Sequence, residues 1–167
     1  MSFRFSTFAC LLIGMALLVT ALPTRAEDLR AAGEQEAKRW QDAYNSKDAA
    51  TIAGMYTEDA VYSSFAWTAA GRQAIQQGLQ AELAQGIGRD LKIVVERAQD
   101  LGGNRAAFYG SWTGSLMQPP PAQTSGASAV DAKWLPVQGR WLAVAERRGD
   151  RWQIVSHVGN IAPPTRK

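Results

Sequence analysis

Few side chains of this sequence could carry out acid–base chemistry, and three of them lie in two short segments. Asp59 ends a turn that leads into a short extended segment at 60–64, which contains Tyr62, and His157, the only histidine of the 167 residues, lies on the last predicted strand. Carboxylates, phenols and above all imidazoles transfer protons in enzymes. Asp59 could instead fix the turn before its segment by accepting backbone N–H bonds. These three residues are the candidate catalytic residues.

The composition argues against a metal site. Beside the single histidine, the chain has one cysteine, Cys10, which lies in an apolar N-terminal run. A zinc ion would then need three carboxylate or water ligands, a set that zinc rarely accepts. No glycine-rich phosphate loop follows a predicted strand. We therefore predict neither a metal nor a cofactor.

Aromatic side chains are the most informative feature of the sequence, which has six tryptophans and four tyrosines. They could simply pack a core. Alternatively, several could line a cavity for a small apolar or aromatic ligand, with hydroxyl and indole groups orienting it. The predicted ligand-binding positions are Trp40, Tyr44, Tyr56, Tyr62, Ser64, Trp67, Trp112, Trp141 and Asn160. Arg72 or Arg140 could pair with a ligand carboxylate or could be solvated charges.

The N-terminus has the pattern of a secretory signal. Arg4 precedes an apolar run that ends at Leu22, and Thr24 and Ala26 are small residues suited to a cleavage site. An uncleaved membrane anchor is the alternative, although the run is short for a bilayer span. Removing residues 1–26 leaves 16 basic and 15 acidic residues, a formal charge of +1. We expect a periplasmic or secreted protein that binds neither nucleic acid nor, after cleavage, a membrane.

Helices that precede a run of strands must position these side chains. Spacings of three and four predict helices, and alternation with period two then predicts strands and a final hairpin. The predicted helices are 27–45, 48–56 and 72–85, and the predicted strands include 90–101, 104–116 and the hairpin 139–160. The proline- and serine-rich segment 117–133 predicts a long loop, either a lid or a solvated insertion. This order is typical of an α+β domain at 27–167, with helices on one side of a curved antiparallel sheet.

Four segments, taken together, resemble a known family. They are Trp40-x-x-Ala43-Tyr44-Asn45 with Asp48, Met55-Tyr56-x-x-Asp59-Ala60-Val61, Gly71-Arg72-x-Ala74-Ile75 and Arg147-x-Gly149-x-x-Trp152-x-Ile154-Val155-x-His157. Their order resembles the nuclear transport factor 2-like superfamily, in the branch with SnoaL-like or DUF4440-like, polyketide-cyclase-like and ketosteroid-isomerase-like members. The sequence also resembles the association domain of calmodulin-dependent kinases. The resemblance implies a cone-shaped α+β fold with three N-terminal helices.

The catalytic residues of that branch are not matched. The resemblance would place a general-base aspartate where this chain has Ser64, and a donor tyrosine where it has Trp40. The late strand 139–145 contains no acid, and one histidine cannot supply the histidine pair of the dehydratase-like members. The Asp–Arg–Asp set of the epoxide-hydrolase-like members is not reproduced either. A ligand-binding module therefore leads, with a cyclase- or isomerase-type enzyme and a dimerisation or interaction domain as alternatives.

The position of His157 depends on the alternation along the last strand. Period two predicts one face formed by Trp152, Ile154, Ser156, Val158 and Asn160, and the opposite face formed by Gln153, Val155, His157 and Ile161. If the first set lines the cavity, His157 points to the outer face. Proteins that this chain resembles dimerise through that face, so we expect a homodimer there and an interface or structural role for His157. A place in the cavity is the alternative.

Overall fold

The computed structural model describes residues 25–86, 88–118 and 133–162 of the chain. Its elements, in chain order, are α1 (Arg25–Asn45), α2 (Ala49–Ala53), β1 (Tyr56–Ser63), β2 (Thr68–Ala70), α3 (Arg72–Ala84), β3 (Gly88–Gly102), β4 (Arg105–Gln118), β5 (Lys133–Arg148) and β6 (Arg151–Ile161). The predicted α+β architecture with three N-terminal helices is confirmed. None of the helices in this described part is long and apolar enough to cross a membrane.

Two sequence predictions fall largely on residues outside those described. The predicted signal peptide at 1–26 overlaps the described chain only at its end, and it stays a prediction. The predicted loop at 117–133 is shorter than expected at both ends. Met117 pairs with Trp134, and Gln118 pairs with Lys133, so β4 and β5 extend into that range.

The helices begin and end where local chemistry requires. In α1 the buried positions Ala37, Trp40 and Ala43 recur at the expected spacing and form one apolar stripe. Asp48 caps α2, because its carboxylate accepts the Thr51 backbone N–H at 2.9 Å. Gly71 precedes α3 with a φ of 87°, a conformation that glycine adopts without steric cost.

The strands form one sheet in the order β2-β1-β6-β5-β4-β3. Its neighbours are antiparallel except for β1 and β6, which run parallel. The strand β2 was not predicted from the sequence, because three residues are too few to show an alternation. Register shifts interrupt three of the strand pairs. Such bulges bend strands, and the sheet therefore curves around α1.

Side chains of α1 occupy part of the unpaired edge of β3. The amide of Asn45 donates to the Leu91 carbonyl oxygen and accepts the Leu91 N–H, both at 2.9 Å. The Gln41 side-chain oxygen accepts the Ile93 N–H at 2.9 Å. Exposed edges are prone to pair with other chains, and these amides satisfy backbone groups that another strand could otherwise bind. These hydrogen bonds thus hold α1 against the β3 edge of the curved sheet.

Candidate functional site

A cavity of about 130 Å³ lies between α1, α3 and the concave face of the sheet. Its wall is mostly apolar and joins the two clusters of buried residues in the core. The lining residues are Gly33, Glu36, Ala37, Trp40, Tyr44, Tyr62, Ser64, Phe65, Glu82, Leu91, Ile93, Phe108, Trp112, Leu116, Trp141, Ala143, Ala145, Trp152, Ile154, His157 and Gly159. An apolar cavity of about 150 Å³ binds benzene in another protein, so this one has the size of a single ring.

Two tryptophan–glycine pairs form the part of the wall contributed by β4 and β5. Trp112 lies directly opposite Gly139, and Trp141 lies opposite Gly110. A Cβ atom at Gly139 would overlap the Trp112 ring and the backbone oxygen of Asn160. The absence of a side chain at these glycines lets each ring lie close to the neighbouring strand.

The polar ends of these rings are bonded to the protein instead of to the cavity. The Trp112 indole N–H donates to the Asn160 carbonyl oxygen at 3.1 Å, and that of Trp141 donates to the Ser111 carbonyl oxygen at 3.2 Å. The expectation that indole groups orient a ligand is therefore wrong for these two residues. Their rings present carbon faces to the cavity.

His157 is in the cavity wall, within a cage of rings. Its ring meets those of Tyr62, Trp40 and Trp141 edge to face, with centroids 5.3, 5.9 and 6.3 Å away. The Tyr56 hydroxyl lies 2.7 Å from His157 Nδ1 and accepts the Trp40 indole N–H at 3.2 Å. Burial disfavours the charged imidazolium and lowers the pKa of His157 to about 4.

The expected outward direction of His157 is wrong, and a bulge explains why. Val144 pairs with Ser156, but the next residue, Ala145, pairs with Ile154. Val155 is thus an extra residue in β6, and it reverses the alternation. Ile154 lies on the cavity side before the bulge, and His157 lies on the cavity side after it.

The same bulge moves Asn160 away from the cavity. Asn160 is exposed, and its side-chain oxygen accepts the Arg140 N–H at 3.1 Å. Gly159 lines the cavity in its place. Two other predicted ligand-binding residues do not line it either: Tyr56 is fully buried behind His157, and Trp67 packs against Tyr62 with ring centroids 4.5 Å apart.

The remaining predicted ligand-binding residues, Trp40, Tyr44, Tyr62, Ser64, Trp112 and Trp141, line the cavity. Of the catalytic candidates, Tyr62 and His157 come together, but Asp59 is exposed and outside the wall. Asp59 lies within β1 and not in the predicted turn, and the neighbouring Thr57 side chain and its own N–H group lower its pKa. Arg72 and Arg140 pair with Glu58 and Glu96, so they are committed to protein carboxylates.

Two carboxylates that sequence reasoning missed also line the cavity. Glu82 on α3 accepts the Tyr44 hydroxyl at 2.9 Å and the Trp67 indole N–H at 2.7 Å. Burial, and then the nearby Glu82 carboxylate, raise the pKa of Tyr44. The signal was present in the sequence, because Glu82 continues the apolar stripe of α3 three residues after Leu79.

Glu36 on α1 differs from Glu82 in having no hydrogen-bond donor on its buried oxygen. Its Oε2 atom is inaccessible to solvent and has no hydrogen-bond partner, and the nearest cation is the Arg39 guanidinium at 3.8 Å. Burial raises the pKa of Glu36, and the charges of Arg39 and Arg151 oppose that shift. Glu36 lies four residues before Trp40, on the buried side of α1. No group of metal-ligating side chains occurs in the described ranges.

Comparisons with known proteins agree with this geometry. The model of the SnoaL-like domain family matches residues 37–154, which is more than half of the chain. The chain therefore belongs to the SnoaL-like domain family, within the nuclear transport factor 2-like superfamily. No curated protein matches the chain with significance. The narrower DUF4440-like assignment stays a prediction.

Solved structures share the fold at low sequence identity. A ketosteroid isomerase-like protein from Erwinia carotovora atroseptica is 14% identical with a TM-score of 0.65, covering 81% of this chain and 97% of its own. A protein from Xanthomonas campestris, described as a calcium/calmodulin-dependent protein kinase II association domain, is 22% identical with a TM-score of 0.61, covering 87% and 94%. One from Novosphingobium aromaticivorans, described as an aromatic ring hydroxylase, is 16% identical with a TM-score of 0.63, covering 82% and 91%.

Proposed function

We propose that this protein binds a small, largely apolar ligand of about one aromatic ring in the cavity. The observation that carries the proposal is a ring-lined cavity of about 130 Å³ in which the indole N–H groups of Trp112 and Trp141 are already bonded to the protein. A water molecule needs two to four polar partners, and such a wall offers few. An apolar ligand would remove this apolar surface from contact with water, which is favourable in free energy.

Gly159 provides the sharpest test of this function. It lines the cavity, and a Cβ atom there would meet no atom within 4 Å. Gly159→Leu should therefore fill the cavity without displacing its neighbours. The matched control is Val158→Leu, because Val158 is the preceding residue and is 49% exposed on the opposite face.

The experiment is a thermal-shift screen with one-ring aromatic compounds on both variants and the parent protein. We expect stabilisation of the parent and of Val158→Leu, and its loss in Gly159→Leu. A broad panel that stabilises none of the three proteins would contradict the binding function. It would favour the third interpretation, a dimerisation or interaction domain with an unused cavity.

An enzyme of the cyclase or isomerase type is the second candidate, and Glu36 favours it. A carboxylate with a raised pKa and an unpartnered buried oxygen is suited to general acid–base work. It shares the cavity with His157. If this function holds, Glu36→Gln should abolish turnover of a bound carbonyl compound, whereas Asp59→Asn should leave it unchanged. Exchange of α-protons with deuterium, followed by NMR, would detect the reaction.

We propose a homodimer formed through the outer face of the sheet. Tyr109, Leu142 and Val158 lie side by side on adjacent strands and are exposed. The family likeness to an association domain supports assembly. Light scattering at micromolar concentration should give twice the mass of the chain, and the mass of one chain would contradict the proposal.

We also propose that the protein is exported and that residues 1–26 are removed. The support is the apolar run behind Arg4 and the small residues at 24 and 26. N-terminal sequencing of the protein recovered from its host should begin at Glu27. Recovery of the chain with its N-terminal run intact in the membrane fraction would favour the anchor instead.

A further inference from the structure

We propose that His157 recognises its ligand as a fixed hydrogen-bond donor, so that the cavity takes a neutral one-ring compound carrying a carbonyl or other acceptor oxygen. The inference rests on the proposed binding function and specifies which ligand chemistry fills the cavity. It starts from the hydrogen bonds that join Trp40, Tyr56 and His157.

The direction of these hydrogen bonds follows from the donors. An indole N–H can only donate, so the Tyr56 oxygen accepts the bond from Trp40 at 3.2 Å. Tyr56 is fully buried, and its hydroxyl proton needs an acceptor. The acceptor within reach is His157 Nδ1, at 2.7 Å. Tyr56 therefore donates to Nδ1, and Nδ1 carries no proton.

The tautomer of the imidazole follows from that assignment. A neutral imidazole carries one proton, and with Nδ1 as acceptor this proton is on Nε2. Burial keeps the ring neutral well below pH 7, in agreement with its lowered pKa. His157 lines the cavity whereas Tyr56 does not, so the edge of the ring away from Tyr56 faces the cavity.

Besides the Nε2–H group, few hydrogen-bond donors in the cavity wall are free to bind a ligand. The indole groups of Trp112 and Trp141 donate to backbone carbonyls, and the Tyr44 hydroxyl donates to Glu82. The Tyr62 hydroxyl remains; burial, and then the Glu82 carboxylate, raise its pKa, and the Ser64 side chain opposes that shift. Tyr62 and the Trp152 indole, which also belongs to the cavity wall, are the donors that the experiment must separate from His157.

Charge and size restrict the ligand further. Glu36 and Glu82 line the same cavity, so a carboxylate ligand would meet two acids and is disfavoured. The volume of about 130 Å³ admits one ring with a short substituent. The Nε2–H group needs an acceptor once a ligand displaces solvent from it, and the oxygen of an aryl ketone, aldehyde or ester would satisfy it. A hydrocarbon of the same shape would not.

Acetophenone and ethylbenzene are the probes that isolate this bond, because they differ chiefly in the carbonyl oxygen. We expect acetophenone to bind the full chain about 2- to 10-fold more tightly, the net effect of one neutral hydrogen bond. The preference should disappear in His157→Leu and should persist in Tyr62→Phe. Titration followed by NMR measures both dissociation constants on each protein.

A second readout does not depend on any ligand or on the folding of His157→Leu. Since the chain has a single histidine, ¹⁵N-histidine labelling gives one pair of ring nitrogen signals. We expect Nδ1 to be unprotonated and Nε2 protonated in the parent protein. Tyr56→Phe, which removes one oxygen, should reduce the acetophenone preference and change these signals.

The possible outcomes are distinct. If both probes bind equally, or if Tyr62→Phe is the variant that loses the preference, the His157 proposal is overturned and the binding function stands. An unprotonated Nε2 would also overturn it. If neither probe nor any other one-ring compound binds, the proposed function and this inference fail together.

Discussion

The inner and outer faces of β4, β5 and β6 are built from neighbouring residues of the same strands, and they differ in what they leave uncovered. On the inner face, Trp141, Ala143 and His157 surround a cavity. On the outer face, Tyr109, Leu142 and Val158 form an apolar row, with exposed fractions of 37, 42 and 49%. The inner face leaves space unfilled, and the outer face leaves apolar surface in water.

This difference indicates that the two faces constrain the sequence in different ways. At Gly110 and Gly139 the inner face is packed against rings and backbone, so that even one added carbon atom there is costly. Side chains on the outer face touch little, and substitutions there should affect assembly more than folding. Each face then has a different proposed partner, a small ligand inside and a second copy of the chain outside.

The largest effect should come from Gly139→Ala on the inner face. The new methyl group would overlap the Trp112 ring and the backbone oxygen of Asn160, and the backbone cannot move cheaply. We expect a loss of about 3 kcal/mol or more in the free energy of unfolding, measured by denaturant titration. Gly159→Ala, on the next strand and with open space around it, should change stability by less than about 0.5 kcal/mol. Equal losses in both variants would contradict the tight inner packing.

The next effect is a pH dependence that arises from His157. Burial lowers its pKa to about 4 in the folded protein, whereas an unfolded histidine titrates near 6.5. As the pH falls below 6.5 the unfolded chain binds the proton first, so stability is lost between pH 6.5 and 4. The loss should reach about 3 kcal/mol, at about 1.4 kcal/mol per pKa unit.

The control for this prediction is His157→Gln, which cannot titrate. The difference in unfolding free energy between the two proteins should depend on pH in the window from 6.5 to 4 and be constant above it. The titration of Glu36 contributes to both proteins and cancels in the difference. Parallel profiles across the window would place His157 in solvent instead of in the cavity wall.

Trp112 and His157 show how far the sequence predicts the structure. The period-two alternation holds along β4, where Phe108 and Trp112 share the inner face and Tyr109 lies on the outer face, because that strand pairs with β5 without interruption. It fails for His157, because a one-residue bulge at Val155 leaves no mark in the pattern of apolar residues. The face of the sheet on which a side chain lies after a bulge depends on strand pairing, which is tertiary information.

The carboxylates were missed for a different reason. Glu36 and Glu82 each lie one helical turn from buried residues, but charges beside an apolar stripe are usually solvated. What brings Glu82 to the cavity is a pair of donors from distant segments, Tyr44 and Trp67. The general fold was predictable from helix and strand order, and the polar contents of the cavity were not.

Leu142→Asp should have a smaller effect, confined to the outer face. Leu142 lies between Tyr109 and Val158 in the apolar row, so that a charge there would have to be desolvated in a dimer. We expect dimer dissociation to become at least about tenfold more favourable, or about 1.4 kcal/mol, measured by sedimentation against concentration. Binding of one-ring probes to the cavity should be unchanged. A coupled loss of binding would show that the two faces are not independent.

The smallest effect expected is that of Glu36→Gln, and its sign is opposite to that of His157. Burial raises the pKa of Glu36, so the folded chain holds that proton more tightly than the unfolded chain, and stability falls as the pH rises through this range. Glu36→Gln removes this cost and should be slightly stabilising at pH 7. The gain stays below that of the His157 transition, because the side chain is 23% exposed and Arg39 lies 3.8 Å away. Since the pH dependence of Glu36 is opposite in sign to that of His157, Glu36→Gln should also show a steeper rise of stability with pH than the parent protein. A shallower rise in the same titration would contradict the burial of this carboxylate.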